Sequence, residues 1–125
     1  MRLTMVGTGY GGLVTGVCFA NTGQHVTCLD VDPAKIDTLK RGECPIYEPG
    51  LTELLERNIK AERLTFTLDK AEAYRDADAV FICVGTPPGE DGSADLKYVL
   101  QAAADVAAVL KALGTDQNPQ TLLLQ

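Results

Sequence analysis

No two cysteines in this chain are spaced as a C-x-x-C pair: Cys18, Cys28, Cys44 and Cys83 stand well apart, and the single histidine is His25. The sequence signatures of a zinc site are therefore missing, and no residue is assigned as a metal ligand. Cys18, Cys28 and Cys83 fall in apolar stretches, where a thiol behaves as a small hydrophobe, and all three are expected in the core. Cys44 falls in a loop with nothing beside it that would stabilise a thiolate. Unpaired thiols fit a reducing compartment, so a cytoplasmic location is expected. Clustered cations are lacking as well. The chain has 11 Lys and Arg against 17 Asp and Glu, a net charge of −6, whereas a nucleic-acid backbone needs concentrated positive charge. No nucleic-acid partner is expected. No apolar run approaches the roughly 20 residues of a membrane-spanning helix. A β-pattern begins at Leu3, directly after Met1-Arg2, so no secretory leader is expected. Internal repeats and low-complexity linkers are also absent.

What is present has the balance of an ordinary globular protein, 46% hydrophobic and 22% charged rather than polar and disordered. A length of 125 residues suffices for one domain and is short for two, so residues 1–125 are read as a single unit. An apolar strand at 3–6 runs into the glycine-rich segment 7–12. A helix follows with Leu13, Val14, Val17 and Cys18 on one face and Gly23 just past its end. Residues 25–30 alternate as a second strand. Asp32 then serves as N-cap and Pro33 as the first residue of a second helix, which Gly42 closes.

A two-proline loop leads to a third helix near Leu51, with Leu54, Leu55 and Ile59 inward. Its outer face carries Glu53/Arg57 and Glu56/Lys60 at i,i+4 spacing. A short strand at 64–67, a short helix at 70–76 and an apolar strand at 79–84 come next. A long helix then carries Leu96, Val99, Leu100, Ala103, Val106, Ala107, Leu110 and Leu113 as its stripe, with Gly114 as its stop. Strands alternating with helices mean parallel βαβ units with right-handed crossovers. The fold class is α/β, a Rossmann-type doubly wound parallel sheet. Residues 120–125 read as the start of a further strand, so the sheet is expected to be truncated in or near its fifth strand.

The glycine segment has the context that gives G-x-G-x-x-G its meaning: a strand before it, a helix after it and an acid at the end of the next strand. Gly7 permits a tight turn, Gly9 lets a pyrophosphate approach the backbone, and Gly12 lets helix and strand pack closely. Thr8, Tyr10 and Gly11 complete the loop whose free N–H groups would face the phosphates. Of two acids near the end of the second strand, Asp32 is already committed as an N-cap. Asp30 lies 18 residues past Gly12, close to the usual spacing of about 20 for the acid that accepts the adenosine ribose hydroxyls. A 2′-phosphate there would set a charge of about −1.5 to −2 beside a carboxylate, so NAD is expected over NADP. Lys35, one turn further on, either softens that discrimination or is simply solvated. The strand at 79–84 delivers Thr86 to the edge of the crevice, as a hydroxyl facing the cofactor or as a turn residue before Pro87-Pro88.

These features are shared by many NAD-binding domains, and four segments narrow the field: GTGYGGLVTG, LDVDPAKI, PIYEPGL and FICVGTPPGEDGSADLKYV. Together they resemble the N-terminal domain of the UDP-glucose 6-dehydrogenases, in the family that also holds the GDP-mannose and UDP-N-acetylmannosamine dehydrogenases. The likeness covers essentially the whole chain. It departs from the family at Gly11, where Val is usual, and at Pro88. The resemblance implies NAD contacts at Gly7, Thr8, Gly9, Tyr10, Gly11, Gly12, Asp30, Lys35 and Thr86. It implies a separate domain for the sugar nucleotide, a homodimeric full-length protein and a place in nucleotide-sugar metabolism and polysaccharide biosynthesis. The reaction implied is oxidation of UDP-glucose to UDP-glucuronate with two NAD, through a covalent thiohemiacetal and thioester on a cysteine. That cysteine, and the Lys, Asp and Glu that assist it, belong to motifs absent from these 125 residues, so no catalytic residue is assigned here. Tyr47 in the EPGL loop tilts the reading to UDP-glucose over GDP-mannose. Two rivals stand beside it. A non-catalytic NAD-sensing module shares the glycine loop and Asp30 but does not need PIYEPGL or the VGTPP loop. A dehydrogenase of hydroxy acids or acyl-CoA esters shares the fold, but its fourth-strand loop usually reads differently from VGTPP.

Overall fold

The computed structural model describes residues 1–85, 89, 92–93, 95–113 and 121–124. Within them the chain forms β1 (Arg2–Val6), α1 (Tyr10–Asn21), β2 (His25–Leu29), α2 (Pro33–Lys40), α3 (Leu51–Lys60), β3 (Leu64–Thr67), α4 (Lys70–Arg75), β4 (Ala79–Ile82), α5 (Lys97–Leu113) and β5 (Thr121–Leu124). The strands lie in the order β3-β2-β1-β4-β5, and every pairing is parallel. The expected α/β Rossmann-type sheet is present, and the strand read at 120–125 pairs with β4 as β5. Gly114 lies outside the described residues.

Parallel strands need crossover helices, which cover both faces of the sheet. The alternation of β1 divides the core accordingly. Leu3 and Met5 pack with Leu13 and Val17 of α1 and Leu55 of α3. Val6 points the other way and joins Val80 and Ile82 of β4, Tyr74 of α4, and Ala102 and Val106 of α5. Helix α1 sits so near the sheet that a Cβ on Gly16 would lie 3.1 Å from Met5 Cγ and 3.3 Å from Cys28 Sγ.

Local chemistry sets the helix ends. The Asp32 carboxylate accepts the Ala34 N–H at 3.0 Å, with Pro33 in the first turn of α2. After α1 and α2 the chain turns through Gly23 (φ +103°) and Gly42 (φ +79°). The following N–H groups reach back, Gln24 to the Phe19 oxygen and Glu43 to the Thr38 oxygen, both at 3.2 Å. These are the long bonds of Schellman caps, and the left-handed residue they require explains both glycines.

Two expectations about packing need correction. Cys18 is exposed, not buried. The sheet takes the α1 face made by Leu13, Gly16, Val17 and Ala20, and Cys18 lies about 100° round the helix from Val17. Leu96, just before α5, and Leu100 and Ala107 within it are exposed, whereas Ala102 and Val106 are buried with Val99, Ala103 and Val109 half-covered. That helix is alanine-rich and apolar around most of its girth, so periodicity admits two registers and the sheet takes the one through Val99, Ala102 and Val106. In α3 Leu55 is buried, Leu54 and Ile59 pack half-buried against the same core as expected, and Asn58 is fully buried. The Asn58 amide donates to the Leu54 oxygen at 2.8 Å and to Asn21 Oδ1 at 3.3 Å. Its own oxygen accepts from Arg63 Nη2 at 3.1 Å, while Arg63 Nε donates to the Ala20 oxygen at 3.0 Å. Glu53, Arg57, Glu56 and Lys60 occupy the outer face of α3 as expected, without closing into ion pairs. Among the described residues no helix is long and apolar enough to cross a membrane.

Candidate cofactor site

The strand order reverses between β1 and β4, and the crevice at their carboxyl ends is where open α/β sheets place ligands. The glycine loop leaves β1 there. Gly7 has φ +103°, and its N–H donates to the Leu29 oxygen at 2.8 Å, tying the loop to β2. A Cβ on Gly7 would lie 2.8 Å from the Cys83 oxygen, and one on Gly12 would lie 2.1 Å from the Gly7 oxygen. Both glycines are required by the protein's own packing. Gly9 is different: its φ is an ordinary −71°, and nothing lies within 4 Å of where its Cβ would stand. The same open space surrounds Gly11.

Gly9 is the N-cap of α1 and supplies no side-chain cap. Among the described residues the N–H groups of Tyr10, Gly11 and Gly12 donate to no protein acceptor. Bare donors at the positive end of a helix, facing open space, suit an anionic group. A dinucleotide's pyrophosphate therefore fits what the residues offer.

Asp30 sits beside this loop. Its Oδ2 accepts from the Thr8 N–H at 2.9 Å and the Thr8 hydroxyl at 2.6 Å. Its Oδ1 accepts from the N–H groups of Val31 at 2.7 Å and Asp32 at 3.1 Å. Burial on its own would raise this carboxyl. The Thr8 hydroxyl and amide, the Asp32 amide and the Lys35 charge together outweigh burial and hold it below the usual carboxylate range.

Asp30, Gly7, Thr8, Gly9 and Lys35 all border one crevice of about 500 Å³. Tyr10 turns elsewhere, its phenol donating to Glu48 Oε2 at 2.9 Å. That hydrogen bond, with the neighbouring Glu48 charge, raises the Tyr10 hydroxyl above its ordinary value. Glu48 is held by a turn: Leu51 N–H donates to the Glu48 oxygen at 3.1 Å across Pro49 and Gly50, with Gly50 at φ +81°. Proline then glycine in those two places is the type II pattern, a physical reading of EPGL. Thr86 and Pro88 lie outside the described residues.

The opposite wall escaped the sequence reading. It comes from α4 and α5 and includes Lys70, Tyr74, Gln101, Ala102 and Asp105. Lys70 Nζ and Asp105 Oδ2 pair at 2.9 Å. Only the short helix at 70–76 hinted at it, and nothing in one sequence joins position 70 to position 105. Cys83 also borders the crevice, with its thiol pushed up by burial to about 11. Burial, with smaller contributions from Cys83 and Asp30, pushes Cys28 up to about 12. Neither thiol is an activated nucleophile.

Residues 1–115 match the family described as UDP-glucose/GDP-mannose dehydrogenase family, NAD binding domain. The chain belongs to that family. The chain is 53% identical over 111 residues to a UDP-glucose 6-dehydrogenase of Pseudomonas aeruginosa, covering 89% of this chain and 24% of that protein. A crystal structure of GDP-mannose dehydrogenase from the same species superposes with a TM-score of 0.92 at 35% identity, over 99% of this chain and 28% of the other. A UDP-glucose dehydrogenase from Pyrobaculum islandicum superposes with a TM-score of 0.86 at 46% identity, over 90% and 26%. The chain thus spans about a quarter of the curated relatives it matches, and that quarter is the NAD-binding domain of a nucleotide-sugar dehydrogenase family.

Proposed function

We propose that this chain is the NAD-binding part of an enzyme that oxidises UDP-glucose to UDP-glucuronate, with two NAD consumed per sugar. The observation that carries the reading is the bare N-terminus of α1 beside the braced Asp30 carboxylate, within a chain 46–53% identical to several UDP-glucose 6-dehydrogenases. NAD, once bound, supplies the hydride acceptor. The chain's own work is to hold it. Tyr10, Gly11 and Gly12 offer backbone N–H groups to the pyrophosphate, and the absence of a side chain at Gly9 keeps that approach open. Asp30 takes the adenosine ribose. All four of its acceptor positions are filled, so a ribose hydroxyl replaces the Thr8 hydroxyl, the one donor of the four that rotates freely. Lys35 borders the same crevice, and Thr86 is proposed at its edge from its place after β4.

The sugar nucleotide, the covalent cysteine chemistry and the subunit contacts of a homodimer belong, on this reading, to regions beyond the 125 residues. A GDP-mannose dehydrogenase is the second reading, favoured by the superposition that covers 99% of the chain. The test is a steady-state NADH assay on the full gene product with UDP-glucose, GDP-mannose and UDP-N-acetylmannosamine in turn. Turnover is expected with UDP-glucose. Turnover confined to either of the others would overturn the substrate assignment.

A further inference from the structure

The crevice beside Asp30 is a mostly apolar slot that also takes polar residues from α4 and α5. Val31 bounds it on the β2 side, and Tyr74 of α4 and Ala102 of α5 bound it opposite. A flat base with apolar faces and a hydrogen-bonding edge suits such a slot. The polar edge is a short relay. Lys70 Nζ donates to Asp105 Oδ2 at 2.9 Å, and Gln101 Nε2 donates to Asp105 Oδ1 at 3.0 Å. Gln101 and Asp105 are one turn apart on α5, and all three residues line the crevice.

A carboxylate only accepts hydrogen bonds, so Asp105 dictates which end of the Gln101 carboxamide faces it. The nitrogen must, and the oxygen is left for a ligand together with the second N–H. Among the described residues neither has a partner. An acceptor beside a donor complements the amino group and ring nitrogen on an adenine edge. A 6-oxopurine presents the reverse order, an acceptor beside a donor of its own. Gln101 could match it only by turning its oxygen against the Asp105 carboxylate, a repulsion between two acceptors in a partly desolvated site.

We propose that Gln101, oriented by Asp105, reads the 6-position of the purine and admits adenine over 6-oxopurines. Asp105 is then a positioning residue, and Lys70 holds Asp105. The inference rests on the NAD reading and adds a recognition element on α5 to it.

The experiment titrates the purified chain calorimetrically with NAD and with nicotinamide hypoxanthine dinucleotide, which differs in carrying oxygen for the 6-amino group and, with it, a proton on N1. NAD should bind about tenfold more tightly, within the discrimination a carboxamide paired to a base edge provides. Asp105→Asn tests the relay with almost no change of shape. Its side-chain amide can present a donor to Gln101 and let the carboxamide turn over, so the preference should fall to twofold or less, or reverse. Gln101→Leu should bring the two affinities within twofold. Circular dichroism and a melting temperature measured on each variant show that Asp105→Asn and Gln101→Leu fold. Equal affinities in the wild type, or an unchanged preference in Asp105→Asn, overturn the inference while NAD binding stands. Failure of the wild type to bind either dinucleotide overturns the NAD reading and the inference with it.

Discussion

Among single residues, Gly9 separates fold from function most cleanly. Gly7 and Gly12 are pinned by contacts inside three ångströms of a missing Cβ, so substituting them damages the domain itself. At Gly9 the backbone is ordinary and the space empty, so the cost of a side chain falls on a ligand. Gly9→Val is expected to keep the far-UV dichroism and melting temperature of the parent and to lose NAD binding by at least about a hundredfold, the order of a steric block at a pyrophosphate contact. Calorimetry checks it, and a folded variant with parental affinity would reduce the loop to a turn.

Asp30 makes the companion prediction. A 2′-phosphate beside it meets a repulsion of about 1 kcal/mol per charge pair in water and up to about 4 near a protein surface. NAD should therefore bind at least about tenfold more tightly than NADP, and Asp30→Ala should erase the difference. The sign with pH follows from the depressed carboxyl. Its stabilising bonds to Thr8 are fully present above the ordinary carboxylate range and are lost as pH falls through the lower folded value. The stability difference between the parent and Asp30→Asn, measured by denaturant titration, should shrink on acidification. A difference that grew instead would contradict the bonding described.

At the scale of elements, the contrast lies between chemistry that is local in sequence and chemistry that is not. Asp32-Pro33, Gly23 and Gly42 announce helix ends because the partners of each cap lie within a few residues, and the structure confirms each one. Helix α5 could not be phased that way, since Ala102 through Ala104 and Val106 through Ala108 present apolar atoms to every side. Asn58 was illegible for another reason. Its partners Asn21 and Arg63 come from other elements, and a polar residue at an inward position reads as solvent-facing until they are known. The candidate site divides along the same line. The loop and Asp30 were readable through a fixed spacing, whereas the α4–α5 wall depends on two residues 35 positions apart. The Asn58 network also yields a stability prediction. Asn58→Leu removes the buried amide that ties the Leu54 oxygen, Asn21 and Arg63 together; Asn21 is exposed and regains water, and Arg63 is half-buried and keeps the Ala20 oxygen. A loss of about 1–3 kcal/mol is expected in urea melts, with NAD affinity of the folded protein unchanged, because the network sits at the C-terminal end of α1, away from the crevice. A loss under 0.5 kcal/mol would mean that water replaces the lost bonds.

For the whole molecule, the question is whether this chain carries any chemistry of its own. Its four thiols argue against it. Cys28 is fully buried with its pKa near 12, and Cys83, the one at the crevice, is near 11, so at neutral pH both are protonated. Cys44 donates to the Ile46 oxygen at 3.1 Å, and Cys18 lies exposed on α1 outside the crevice. A nucleophile is helped by a lowered pKa, and those of Cys28 and Cys83 are raised instead. Among the described residues, those that line the crevice are the ones proposed to hold a dinucleotide, and orienting a second reactant supplies roughly 7–11 kcal/mol of a typical barrier reduction. The 125-residue chain with saturating NAD and UDP-glucose is therefore expected to bind cofactor and form no NADH above the enzyme-free rate. Absorbance at the reduced nicotinamide band over many hours gives the answer. Turnover that disappears in Cys83→Ala would show that the burial of this thiol does not keep it from the chemistry, and would place a catalytic residue inside the crevice.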